Sequence, residues 1–179
     1  MELPNIPYSV SHRNVRYPRL EFRTGELLLV LPFGYKPDLI LDKHKKWILK
    51  NVAFVEDCLK HATDRRMVDR TEKDFRELTF SLVKKASIEL GGKLNHVYFR
   101  SMRTKWASLS SKRNLTINRV MKYLPEYLLN YVIFHEIIHL KEKRHNDKFW
   151  ERVLKKFSDY RELERDLFVY WFQLAKRRV

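Results

Sequence analysis

The chain has 179 residues, of which 44% are hydrophobic and 13% aromatic, so it is long enough for one globular domain with a real core. Its four Gly and six Pro exclude a collagen-like or linker-rich protein, and its aromatic content excludes a largely disordered one. The net charge of +15 permits binding to nucleic acid or to acidic surfaces, although Lys and Arg are scattered from Arg13 to Arg178.

The sequence also predicts where the protein acts. No apolar run approaches the roughly 20 residues of a membrane span, and the N-terminus lacks the basic and apolar regions of a signal peptide. Cys58 is the only cysteine, which rules out an internal disulfide, and its apolar surroundings indicate a core residue. These features predict a cytoplasmic protein that does not enter a membrane.

The N-terminal third predicts strands followed by a helix. Residues 8–31 alternate apolar and polar side chains around Thr24-Gly25, a hairpin-like break. Pro37-Asp38 then begins a helix expected to run to about His61. Its apolar stripe consists of Leu39, Ile40, Trp47, Ile48, Val52 and Val55. The charged stretch 63–71 is the expected connection between two subregions.

The remaining chain predicts a helix, strands and further helices. Thr71 and Asp74 indicate a capped helix start, and Gly91-Gly92 its end. Strands are expected within 93–118, and from Pro125 the chain is expected to be helical almost to its end. This order predicts an α+β fold in a single domain over 1–179, with a strand-rich subregion at 1–61 and a catalytic core at 71–179.

The motif "HEIIH" suggests a metal site on the helix after Pro125. His135 and His139 are four residues apart, so both imidazoles lie on one helical face, where they can bind one zinc ion. Glu136 follows about 100° round the helix, beside the metal, where it can take a proton from bound water as general base. The alternative is a buried core helix with two histidines, but burying these polar groups together is costly without partners.

The sequence leaves two possibilities for the third metal ligand. It is either His145, six residues after His139, or a glutamate of the next helix, Glu162 or Glu164. His145 is favoured, because the glutamates lie in an ordinary charged helix start. The spacing of His145 matches metzincins, but that class has a glycine where this chain has Glu142, and a methionine downstream that this chain lacks.

Residues 99–150 closely resemble the YgjP-like metallopeptidases, relatives of the SprT-like and WLM zincins. The matching positions are Arg103 or its neighbour, Trp106, Ser108, Asn118, Pro125, His135, Glu136, His139, His145, Phe149 and Trp150. A weaker resemblance extends over 12–60. The family's Gly-Ser-Cys is Ala107-Ser108-Leu109 in this chain, and the serine after its third histidine is Asn146.

The resemblance implies a zincin-like fold, with a mixed or antiparallel sheet packed on helices and zinc held by His135, His139 and His145. It implies a zinc metallopeptidase acting on a peptide or unfolded protein, with Trp106 and Ser108 as candidate substrate contacts and the strand at 103–111 offering its edge to the peptide. Four residues are conceivable oxyanion donors: His96, Tyr98, Tyr123 and Tyr127. The alternative is a nucleic-acid-associated zinc protein, either acting on DNA-bound proteins as SprT-like relatives do or binding phosphates with a structural zinc.

Overall fold

The computed structural model describes residues 8–23, 26–61 and 65–176. It divides into two compact units: residues 1–64 with 171–179, and residues 65–170. Each unit combines helices with a three-stranded mixed sheet, which confirms the predicted α+β class. The assignment of 1–179 to one domain remains a prediction.

The sheet of the first unit has the order β1-β3-β2, with β1 at Tyr8–His12, β2 at Arg19–Arg23 and β3 at Glu26–Leu31. Strands β2 and β3 pair antiparallel, as the predicted hairpin requires, while Thr24-Gly25 itself lies outside the described residues. Strand β1 pairs with β3 in parallel. Alternate residues of β3 supply the core of this unit, because successive side chains of a strand point to opposite faces. That core consists of Leu27, Leu29, Leu31, Ile40, Leu41 and Ile48.

The helix expected from Pro37 to His61 is interrupted at His44, giving α1 (Pro37–Lys43) and α2 (Lys45–His61). His44 has φ −111° and ψ 17°, which departs from helical geometry. A single helical period therefore does not continue through the segment, and the predicted apolar stripe is wrong in part. Ile40 and Ile48 are buried, whereas Leu39 is 61% exposed and Trp47 42% exposed.

The second unit begins with α3 (Glu72–Leu90), whose predicted ends are confirmed. The Thr71 side chain accepts a hydrogen bond of 3.1 Å from the Asp74 N–H, which satisfies one of the free amides of the first turn. Gly91 ends the helix with φ 59°, a left-handed conformation that glycine adopts without a steric penalty.

The sheet of this unit has the order β4-β6-β5, with β4 at His96–Arg100, β5 at Ala107–Leu109 and β6 at Asn114–Asn118. Strand β6 is parallel to β4 and antiparallel to β5. After Asn118 the chain turns into a 3-10 helix, Arg119–Tyr123, because the Asn118 side chain accepts the Val120 N–H and ends the strand. Leu115 and Ile117 point into the core from one face of the sheet, and both are fully buried.

Three helices follow: α4 (Glu126–Ile138), α5 (Asp147–Leu154) and α6 (Tyr160–Lys176). The prediction of a mostly helical C-terminal part is confirmed, with two interruptions. Helix α4 packs against α3 and β5, and its apolar side chains line the core of the second unit. Within the described ranges, no helix is long and apolar enough to cross a membrane.

Candidate metal centre

Helix α4 is buried around most of its surface. It begins directly after Pro125, whose carbonyl accepts hydrogen bonds from the Leu128 and Leu129 N–H groups. Eight of its thirteen residues are buried: Leu128, Leu129, Tyr131, Val132, Ile133, Phe134, Ile137 and Ile138. His135 and Glu136 are among the few polar groups of the helix, and both are partly exposed. The apolar surroundings fix the helix, so the direction of these polar side chains is fixed as well.

The helix ends inside the motif, and the turn that follows brings the chain back toward the histidines. His139 caps the helix, and its ring Nδ1 lies 2.9 Å from the carbonyl oxygen of Glu142. The Glu142 carboxylate in turn accepts a hydrogen bond from Asn146 at 3.4 Å. Among the described residues, Arg113 is the only non-glycine residue with positive φ, so this turn forms without the glycine that metzincins use.

His145 is held in place by the start of α5. Asn146 caps that helix, because its side chain accepts the Phe149 N–H at 2.9 Å. Asparagine and serine are both favoured at this position, so Asn146 can replace the serine of the family pattern without loss of the cap. The residue just before the cap, His145, thereby faces α4.

The three imidazoles converge. The Nε2 atom of His145 lies 3.1 Å from Nε2 of His135 and 3.2 Å from Nε2 of His139. All three ligand nitrogens fall within 4.8 Å of one another, and in the described part of the chain this group contains only these three residues. Zinc at tetrahedral angles holds its nitrogen ligands roughly 3.3 Å apart, so the spacing suits a zinc ion.

The protonation of these rings also suits a metal. Burial, with the nearby His145 and His139, lowers the pKa of the His135 imidazole to about 3. Burial, with the charge of His139, lowers the pKa of His145 as well. Both rings are then neutral at neutral pH, as a metal ligand must be. The Nδ1–H of His139 donates a hydrogen bond to the Glu142 carbonyl, which leaves Nε2 available to bind a metal. Metal-binding histidines commonly donate their other ring N–H in this way.

Glu136 is anchored by the backbone of the sheet. The Leu109 N–H donates to Oε2 of Glu136 at 2.9 Å, from the edge of β5 that is not paired with β6. Burial raises the pKa of Glu136, while His139, this amide and Lys105 act in the opposite direction. The contact needs only a main-chain amide, so the change from the family's cysteine to Leu109 leaves it intact.

Phe149 lies beneath all three histidines. It is fully buried, and its ring centroid lies 4.8 Å from that of His135, 4.9 Å from His139 and 4.6 Å from His145. Trp150 adds a tilted contact with His145 at 5.7 Å. Because side chains in a packed core have little freedom, Phe149 limits how far the imidazoles can rotate.

Phe149→Leu is therefore expected to lower zinc affinity by about tenfold, since outer-shell changes cost 10- to 100-fold. It is also expected to lower the free energy of unfolding of the metal-free protein by about 1 kcal/mol, as for other nearly volume-conserving core changes. Competition with a chelator and urea unfolding measure the two effects. Phe75→Leu is the matched control, because Phe75 is also fully buried in this core but packs on Phe99. Equal zinc affinity in the two variants would contradict the positioning role.

The other residues named by the sequence analysis are not part of the three-histidine group. Trp106 packs against the core, and Ser108 shares a sheet face with Thr116 and Tyr98. Glu164 accepts a hydrogen bond of 3.1 Å from the Tyr131 hydroxyl, and Glu162 lines a cavity of about 340 Å³ with Tyr127 and Asp166. The candidate oxyanion donors do not converge: His96 and Tyr98 are exposed on β4, Tyr127 donates to Asp166, and Tyr123 lies beside Lys122.

The sequence analysis missed two groups that contact the proposed site residues, the Leu109 N–H and Tyr131. The contact of the Leu109 N–H with Glu136 uses a backbone amide, which no residue type in the sequence indicates. Only the structure shows this contact. Tyr131 lies one turn before His135, with ring centroids 6.0 Å apart, and its hydroxyl joins α4 to Glu164 of α6. The four-residue spacing of Tyr131 and His135 was a usable signal.

An HExxH helix beside a mixed sheet, with a third histidine just before the next helix, is the arrangement expected of a zincin-like metallopeptidase domain. The family model for the YgjP-like metallopeptidase domain matches residues 65–169, more than half of the chain. The chain belongs to the YgjP-like metallopeptidase family, as its motifs predict.

Individual relatives are more distant. The UTP pyrophosphatase of Escherichia coli (strain K12) is 32% identical over 73 residues, which are 41% of this chain and 44% of that protein, so the match spans less than half of the relative. The crystal structure of the metallopeptidase zymogen of Pyrococcus abyssi abylysin has a TM-score of 0.46 and 26% identity, covering 50% of this chain and 90% of that one. The metallopeptidase zymogen of Methanocaldococcus jannaschii jannalysin has a TM-score of 0.45 and 28% identity, covering 56% and 97%.

Proposed function

We propose that this protein is a zinc-dependent peptidase whose metal ligands are His135, His139 and His145 and whose general base is Glu136. The observation that carries the proposal is the convergence of three Nε2 atoms, with separations of 3.1 and 3.2 Å from His145, beside a carboxylate held in place from the sheet. Membership of a metallopeptidase family supports peptide hydrolysis as the reaction.

Zinc bound by these ligands supplies Lewis acidity, which makes water more acidic and polarises a carbonyl oxygen. The chain contributes the proton transfer. Because Oε2 of Glu136 accepts the Leu109 N–H, the other carboxylate oxygen is the one that takes a proton from the attacking water. The resulting carboxylic acid then gives that proton to the nitrogen of the leaving amine.

The proposed substrate is an extended peptide or an unfolded protein, taken up along the outer edge of β5. The Leu109 amide is engaged by Glu136, so it does not pair with the peptide while that hydrogen bond stands. Recognition along an edge strand reads the backbone of the peptide more than its side chains, which suits an unfolded substrate. The proposed location is the cytoplasm, supported by the single cysteine, Cys58, which cannot form an internal disulfide.

The test is the metal content of the purified protein, measured together with cleavage of an unfolded protein such as reduced, alkylated lactalbumin. About one zinc per chain is expected, with cleavage abolished by a chelator and restored by added zinc. Zinc-free protein with unchanged cleavage would contradict the proposal.

A second candidate is release of pyrophosphate from UTP, favoured by the 32% identity with the Escherichia coli enzyme of that name. The same preparations are incubated with UTP, and pyrophosphate is measured. Release that is lost with the chelator, in the absence of any protein cleavage, would assign the centre to nucleotide hydrolysis instead. The nucleic-acid-associated alternative is supported by the net charge of +15.

A further inference from the structure

The positive charge of the chain is concentrated more than its overall scatter suggests. Residues 90–125, which contain β4, β5 and β6, include no Asp or Glu. The same stretch holds eight cations: Lys93, Arg100, Arg103, Lys105, Lys112, Arg113, Arg119 and Lys122. All of these except Lys122 are exposed. In the parts of the chain that the structure describes, no ion pair joins any of the eight to a carboxylate.

The fold places an exposed ring platform at the centre of this stretch. His96, Tyr98 and Arg100 alternate along β4, so their side chains share the face opposite to Val97 and Phe99, which pack on the core. The rings of His96 and Tyr98 are 5.8 Å apart, and the Arg100 guanidinium lies 5.3 Å from the Tyr98 centroid. Tyr98 is 38% exposed.

Hydroxyl-bearing side chains lie beside the His96 and Tyr98 rings on the same face of the sheet. Tyr98 is paired with Thr116, and Thr116 with Ser108, so the three residues form one row on the same face. Cations lie beyond both ends of the strands. The turn that contains Lys112 and Arg113 is hydrogen-bonded to Asn95, just before β4, and Arg119 follows the far end of β6.

We propose that this sheet face binds single-stranded nucleic acid. A flat strand surface with an exposed aromatic ring and a guanidinium allows bases to stack, and the flanking cations and hydroxyl groups suit phosphates. An acidic protein segment matches the charge but has no use for the ring platform, so the observations favour nucleic acid. The row of Tyr98, Thr116 and Ser108 lies on the sheet face opposite to the buried Leu115 and Ile117, and binding does not depend on hydrolysis.

The test uses the full zinc-loaded chain and a fluorescent 20-nucleotide oligo(dT), with binding measured by anisotropy over a range of NaCl concentrations. Affinity is expected to fall with salt, with a logarithmic slope of about −0.7 for each phosphate contact. Tyr98→Ala is expected to weaken binding by about 5- to 100-fold with the slope unchanged, because a stacking contact is lost without a change in charge. Tyr98→Phe keeps the ring and should bind as the parent does.

A charge variant and its control complete the experiment. Lys112→Gln with Arg113→Gln should make the salt slope less steep, whereas Lys84→Gln with Lys85→Gln, the same change on the exposed side of α3, should leave it unchanged. Four results would overturn the proposal. The first is no binding at 50 mM NaCl, and the second is unchanged affinity in Tyr98→Ala. The third is equal affinity for polyglutamate, which would assign the face to an acidic protein. The fourth is displacement by equimolar UTP, which would assign it to a mononucleotide.

Discussion

Glu136→Gln is expected to bind zinc as the parent protein does, while kcat/KM for cleavage of unfolded protein falls by about 100- to 10,000-fold, the usual contribution of a general acid–base group. The amide oxygen of glutamine can still accept the Leu109 N–H, so the side chain keeps its position. It cannot accept a proton from water. Elemental analysis and the cleavage rate measure the two quantities on the same sample.

Glu151→Gln is the control for this substitution, because it removes an equal charge from an exposed position on α5. It should retain both zinc and activity. If Glu136→Gln cleaves unfolded protein at the parental rate, Glu136 is not the general base. That conclusion holds whatever the zinc content of the variant.

His145→Ala should weaken zinc binding by about 100-fold or more. Apparent binding energies of 10–16 kcal/mol for four-ligand structural zinc sites correspond to roughly 3 kcal/mol per ligand. The protein should still fold, because His145 is exposed and precedes the α5 cap without forming it. Titration with a zinc-binding dye measures the affinity.

His96→Ala is the matched control, since His96 is an exposed histidine of the same unit that lies on β4. Its zinc affinity should equal that of the parent. Undiminished zinc binding in His145→Ala would mean that a different group is the third zinc ligand. The sequence offers Glu162 and Glu164 as alternatives for that ligand. In the structure, Glu164 is already engaged by the Tyr131 hydroxyl.

The sequence predicted the parts of this protein that follow from local periodicity. The four-residue spacing of His135 and His139 places them on one helical face whatever surrounds the helix. The caps at Thr71 and Gly91 likewise depend on a few neighbouring atoms, and both are confirmed. Local rules of this kind do not require knowledge of distant contacts.

The predictions that were wrong or missing concern distant contacts and interruptions. Alternating side chains fit a parallel and an antiparallel neighbour equally well, so the parallel pairing of β4 with β6 could not be read from the strand pattern. The interruption at His44 contains neither Pro nor Gly, which removed the usual signal. The Leu109 amide reaches Glu136 across 27 positions, and every residue type except proline carries such a donor.

The three proposed metal ligands all lie between positions 135 and 145, on one helical turn and the loop that follows it. Bringing such close neighbours together costs little loop-closure entropy, because that entropy grows with the length of the loop. Folding of α4 and the start of α5 is therefore sufficient to bring the three nitrogens together. The proposed general base depends on a longer loop, because the Leu109 amide that holds Glu136 belongs to β5, 27 positions earlier in the chain.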